Sequence, residues 1–159
     1  MHQRGHMLEW EGRTQEAAHT SVGSLVNELA ELGFSWSDLA KMIGVTVPAV
    51  RKWRAGGNAT GTSRRDLAAL QAACALIGEK YQIEEIASWF EVPLSAWGPI
   101  TPIDLYAAGH RAELFDYASG HVDAEQILGE FDPDWREKGR STHEVFRSKD
   151  GNKAIRPRG

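Results

Sequence analysis

The chain has 159 residues, 42% of them apolar and 25% charged, enough for one domain or two small ones around a buried core and too apolar for a disordered polymer. Its 18 basic and 22 acidic side chains leave a net charge of −4, which excludes a uniformly basic coat for nucleic acid. The single cysteine, Cys74, cannot form an internal disulfide, no run approaches the ~18 apolar residues of a membrane span, and the N-terminal stretch lacks the apolar segment of a secretory leader, so a soluble cytoplasmic protein is expected.

Residues 1–19 are read as an N-terminal arm, partly disordered. Leu25, Val26, Leu29 and Leu32 recur at helical spacing before Gly33, and Leu39, Ala40 and Ile43 repeat the period before Gly44. Thr46 then caps a short helix in which Val50 and Trp53 face inward, with Pro48 tolerated in the first turn. After Gly56-Gly57, Thr62 or Ser63 is expected to cap an Ala-rich helix from about Arg64 to Glu79, with Leu67, Leu70, Cys74 and Ile77 on its inner face. Ile83, Ile86, Ala87 and Phe90 open a further helical pattern, broken by Pro93, Gly98 and Pro99. Short helices follow at about 102–108, 111–118 and 123–131, with Asp132-Pro133-Asp134 as the exit. Near the end, Glu144–Arg147 and Lys153–Arg156 flank an Asp150-Gly151 turn signal, the pattern of a β-hairpin. The expected fold is therefore mainly α, in four parts: an arm (1–19), a helical bundle (20–82), a second helical module (83–134) and a basic tail with the hairpin (135–159).

Charge follows a similar division. Residues 35–82 carry seven cations and three carboxylates, residues 83–134 carry Arg111 alone against eleven carboxylates, and residues 135–159 carry eight cations and three carboxylates. A basic module suits phosphates and an acidic one repels them, so the two surfaces are expected to meet different partners.

The stretch from Ser35 to Trp53 has the landmarks of two helices crossing steeply. A small residue, Ala40, stands where the helices would come closest, Gly44 supplies a turn with positive φ, and Val45, Val50 and Trp53 close a miniature core. Over about residues 20–80 the chain resembles the Xre/Cro-like helix-turn-helix family. The resemblance implies that the second helix enters the DNA major groove, where Val47, Pro48, Arg51 and Lys52 face base edges. Val47 and Pro48 suit thymine methyl groups, which leaves Arg51 or Lys52 to supply any guanine contact. Thr46, Arg54, Asn58, Thr60, Thr62, Arg64 and Arg65 are the candidates for phosphate contacts. Met42 and Trp53 are assigned to the core rather than to base stacking.

Further on, Trp89, Pro93-Leu94, Thr101-Pro102-Ile103-Asp104-Leu105 and Gly109 occur in an order similar to the toxin-binding domain of Xre/MbcA/ParS-type antitoxins, over about residues 86–120. Thr101 can cap, Pro102 fits the first helical position and Asp104 suits the helix dipole. Gly98-Pro99-Ile100 replaces the Gly-Gly turn usual in that family, and residues 121–159 extend past its usual end. The resemblance implies an all-α module that silences a co-encoded toxin while the other module represses the shared operon. Trp97, Asp104 and Tyr106 are the candidate partner contacts, although three of the five aromatics Trp89, Phe90, Trp97, Tyr106 and Phe115 are expected in the core. In the tail, Arg156 and Arg158 flank a proline and are candidates for added DNA contacts, with a toxin cleft or the acidic module as the other destinations.

Apart from the terminal His2 and His6, four apart, the six histidines show no metal-ligand spacing on an assigned helix, and no nucleophile, dinucleotide or phosphate-loop motif is present. No catalysis, cofactor or metal is expected. The reading is a transcriptional regulator that binds an operator in double-stranded DNA as a homodimer, associates with the nucleoid when bound, and acts as an autorepressing antitoxin. The alternatives are a phage-type or developmental regulator without a toxin, and a protein-interaction adaptor.

Overall fold

Ser and Thr caps alternate with glycine stops along the chain, and between them lie nine helices among the residues described by this computed structural model, 2–95 and 99–131. In chain order they are α1 (His2–Ala17), α2 (Val22–Glu31), α3 (Trp36–Ile43), α4 (Val47–Arg54), α5 (Gly61–Lys80), α6 (Ile86–Glu91), α7 (Pro102–Ala107), α8 (Arg111–Ser119) and α9 (Ala124–Phe131). The expected hairpin and tail, the exit at 132–134, and Trp97, Arg156 and Arg158 lie outside the described residues. Among those described, no helix is long and apolar enough to cross a membrane.

The caps are local, and those at Thr46 and Thr101 stand where the sequence places them. Side-chain oxygens of Ser21, Ser35, Thr46, Thr60 and Thr101 each accept from a backbone N–H three residues on, satisfying a donor that the helix itself cannot. For α5 the cap is Thr60 rather than Thr62 or Ser63. Its Oγ1 accepts from Ser63 N at 3.1 Å, and the helix begins at Gly61, earlier than the Ala-rich composition suggests.

α5 is the central element, packed by α1, α2, α3, α6 and α8. Its Leu67, Leu70, Leu76 and Ile77 are fully buried, with Cys74 beside them. Desolvation pushes the Cys74 thiol far above its ordinary value. A single cluster of buried side chains runs from Val22 on α2 to Leu128 on α9, so the basic and acidic stretches share one core. Phe90, Tyr106 and Phe115 lie in it, and Trp89 packs at its edge.

The N-terminal arm differs from expectation: residues 2–17 form a 16-residue helix docked on α5 and α8. Its inner stripe is His6, Met7, Trp10, Arg13, Thr14 and Ala17, all buried or half-buried. That stripe has helical spacing but mixes apolar with polar side chains, so hydrophobic periodicity does not reveal it. Met7, Trp10 and Ala17 pack on the core, and polar contacts add to that hold. Trp10 Nε1 donates to the Ala69 carbonyl at 2.8 Å, Arg13 pairs with Glu79 at 3.0 Å, and Lys80 pairs with Glu9 at 2.7 Å.

The two halves are also joined by charge. Lys41 Nζ on α3 lies 2.5 Å from Asp104 Oδ1 on α7. Asp104 completes a capping box, since its Oδ2 accepts from the fully buried Thr101 N at 2.9 Å and its own N–H donates to Thr101 Oγ1 at 3.2 Å. Burial alone would raise the Asp104 carboxyl, but Lys41 and the Thr101 N–H outweigh it and hold the group below its ordinary value.

Candidate nucleic-acid interface

The turn between α3 and α4 is built on one carbonyl. Ala40 O accepts from both Gly44 N (2.8 Å) and Val45 N (2.9 Å), which requires the left-handed conformation that Gly44 adopts at φ +81°. Ala40 is 4% exposed, and a larger side chain there would have to displace packed neighbours. Thr46 caps α4 by accepting from Ala49 N at 3.3 Å, and Pro48 occupies the first turn without losing an intrahelical bond.

Helical spacing then sorts the α4 side chains. Val50 and Trp53 are buried against α2 and α3. On the opposite stripe Pro48, Arg51 and Lys52 are exposed, and Val47 is half-buried beside them. Lys52 has a fixed base: its carbonyl accepts from Gly57 N at 2.8 Å, and a β-carbon on Gly57 would stand 2.5 Å from its Cγ. The Gly56-Gly57 turn therefore ends the helix and leaves room for the lysine stem.

Arg54 is held sideways. Its Nε donates to Asn27 Oδ1 at 3.1 Å and its guanidinium lies 5.4 Å from the Trp36 ring centre. Asn27, Trp36, Arg51, Arg54 and Ala55 line a notch of about 510 Å3 beside the exposed stripe. Two guanidinium groups on one notch suit phosphate oxygens, because each offers a planar fork of donors. Asn58, Thr60, Thr62, Arg64 and Arg65 are all exposed around the start of α5.

Electrostatics separates these cations from the others. Of the seven between residues 35 and 82, Lys41 and Lys80 are paired with carboxylates of α7 and α1. Among the described residues no ion pair engages Arg51, Lys52, Arg54, Arg64 or Arg65. No carboxylate of the described residues thus offsets their charge.

The candidate partner contacts of the acidic half fare differently. Tyr106 is 1% exposed, lies edge-on to Trp10 and carries the Arg111 guanidinium over its ring at 4.4 Å. It is a core residue, contrary to expectation, because α7 buries Ile103, Leu105 and Tyr106 against α3 and α8. Asp104 is engaged by Thr101 and Lys41.

One polar cluster has no counterpart in the sequence reading. His6 Nδ1 and the Tyr81 hydroxyl share a hydrogen bond, and His6 Nε2 lies 3.4 Å from Ser119 Oγ and 3.6 Å from Asp116 Oδ1. Asp116 is 2% exposed and accepts from Gln3 Nε2 at 2.6 Å. A serine–histidine–aspartate relay places Ser and Asp on opposite ring nitrogens; here both approach Nε2, and the cluster serves to dock α1 on α8. Gln3 and His6 lie more than 100 residues from Asp116 and Ser119, and His6 lies 75 from Tyr81, so no local motif could find them. Burial, with Glu9 and Asp116 nearby, pushes the Tyr81 hydroxyl up to about 12.

Comparison of the chain with protein-family models, with curated proteins and with solved structures found no match.

Proposed function

We propose that the protein is a sequence-specific regulator of transcription whose helix α4 reads the major groove of double-stranded DNA, with α3 and α4 acting as a helix-turn-helix. The observation that carries this reading is the outward stripe of α4, where Arg51 and Lys52 are exposed and, among the described residues, engaged in no ion pair. Val47 and Pro48 pack against thymine methyl groups, and Arg51 and Lys52 contact guanine. Arg54 and Arg64, with Thr46, Asn58, Thr60, Thr62 and Arg65, hold the phosphates and set the register. Tail residues Arg156 and Arg158 add backbone contacts. An eight-residue reading helix gives a small interface, so the protein binds as a homodimer on a twofold-related operator.

The regulator is an autorepressing antitoxin, with a toxin encoded beside it as its protein partner. This part rests on the resemblance over residues 86–120 and on the charge of residues 83–134, which repels DNA and suits a basic partner. Binding of genomic fragments by the wild type and by Arg51→Ala/Lys52→Ala tests the first part. Loss of selective binding in the double variant is expected, and equal affinity of the two proteins for every duplex refutes it. Copurification with the product of the adjacent gene tests the second, and failure to associate removes the antitoxin role.

A further inference from the structure

Arg111 is the lone cation of residues 83–134, and the proposed function does not use it. It opens α8, and its guanidinium lies 4.4 Å from the ring centre of Tyr106 and 5.8 Å from that of Trp10. Trp10 is itself fixed by its bond to the Ala69 carbonyl. The Arg111 Nε is buried and, among the described residues, has no hydrogen-bond partner. With a neighbouring Nη, that N–H forms the fork that receives a carboxylate in two parallel bonds.

Arg111 borders a cavity of about 510 Å3 between α1, α5 and α8, within the ~300–1,000 Å3 range of small-molecule sites. Met7 and Trp10 supply an apolar wall. Arg65 and Arg111 contribute two cations, Glu11 and Asp66 two carboxylates, and among the described residues no ion pair joins these four to one another. A purely anionic ligand would meet the two carboxylates, and a purely cationic one would leave the Arg111 fork unfilled.

We infer that this cavity binds a small zwitterion of the apolar amino acid class. The Arg111 guanidinium turns its covered Nε–H into the cavity to fork the ligand carboxylate, the ligand ammonium lies toward Glu11 and Asp66, and its side chain packs on Met7 and Trp10. Arg65 also belongs to the proposed phosphate contacts, so an occupied cavity competes with the duplex for one cation. That consequence rests on the proposed function, whereas the binding itself does not.

The test uses the full chain without DNA, so its failure leaves the reading of α4 untouched. L-phenylalanine, L-tryptophan, L-leucine and L-methionine are each titrated to about 10 mM, ten times the ~1 mM Kd of a weak complex, while NMR follows the Arg111 Nε–H and the Trp10 indole N–H. At least one is expected to shift both resonances saturably. Arg111→Lys, which keeps the charge and removes the fork, should weaken that binding at least tenfold (about one factor of ten per lost charge-assisted bond). Ala69→Leu, which fills the cavity from α5 and leaves Arg111 in place, should abolish it. No saturable shift with any of the four overturns the proposal. So does unchanged affinity in either variant with a native helical spectrum, or equal binding of phenethylamine, which lacks the carboxylate.

Discussion

Asp104 offers the sharpest test of how the basic and acidic halves are joined. It accepts from three donors on two elements: Thr101 N, Thr101 Oγ1 and Lys41 Nζ. Asp104→Ala strands the fully buried Thr101 N–H, which costs about 1–3 kcal/mol, and releases Lys41, whose side chain is 48% exposed, for about 0.5–1 kcal/mol more. The sum is about 1.5–4 kcal/mol. Lys41→Met loses only the pair, about 0.5–1 kcal/mol. A double-mutant cycle in urea should therefore give a coupling of about 0.5–1 kcal/mol between α3 and α7 at pH 7. The folded-state carboxyl is held below its ordinary value, so this contribution is complete above the unfolded value near 4 and disappears as pH falls through the lower folded value. A coupling of zero at pH 7, or one that persists unchanged in strong acid, refutes the pairing. A loss in Asp104→Ala no larger than in Lys41→Met refutes the role assigned to the capping box.

Gly44→Ala should destabilise the fold by about 1–2 kcal/mol in urea melts, from backbone conformation alone, because φ is +81° and a β-carbon would meet nothing within 4 Å. Cys74 is 3% exposed and its thiol is pushed far above neutral pH, so a colorimetric thiol reagent should react at the rate of unfolding and immediately in denaturant; fast reaction of the native protein contradicts its burial. Arg64→Ala should weaken binding to all duplexes alike and reduce the slope of log Kd against log salt by about one, whereas a loss confined to one sequence would make Arg64 a base reader.

What was legible in the sequence was local. The caps at Thr46 and Thr101, the stop at Gly44, and the inward spacing of Val50, Trp53, Leu67, Leu70 and Ile77 each depend on a few neighbouring residues, and each appears in the fold. The exposed stripe of α4 follows from the same spacing. What stayed hidden depends on distant partners. Helix α1 is held by Ala69, Glu79, Lys80, Tyr81 and Asp116, none of which its own sequence announces. Tyr106 reads as a surface anchor until Trp10 covers one side of it and Arg111 another. The cavity beside Arg111 is assembled from three helices that are far apart along the chain.

The account rests most heavily on the outward face of α4. Selection of bound fragments from the organism's own genome, followed by Kd measurements on the enriched sequence at fixed salt, tests it most directly. The wild type is predicted to enrich a twofold-related sequence, and Arg51→Ala/Lys52→Ala to lose about 2–6 kcal/mol of affinity for each half-site while keeping its fold. Enrichment of the same sequence with the same affinity by the double variant would contradict the account, as would a wild type that selects no sequence at all.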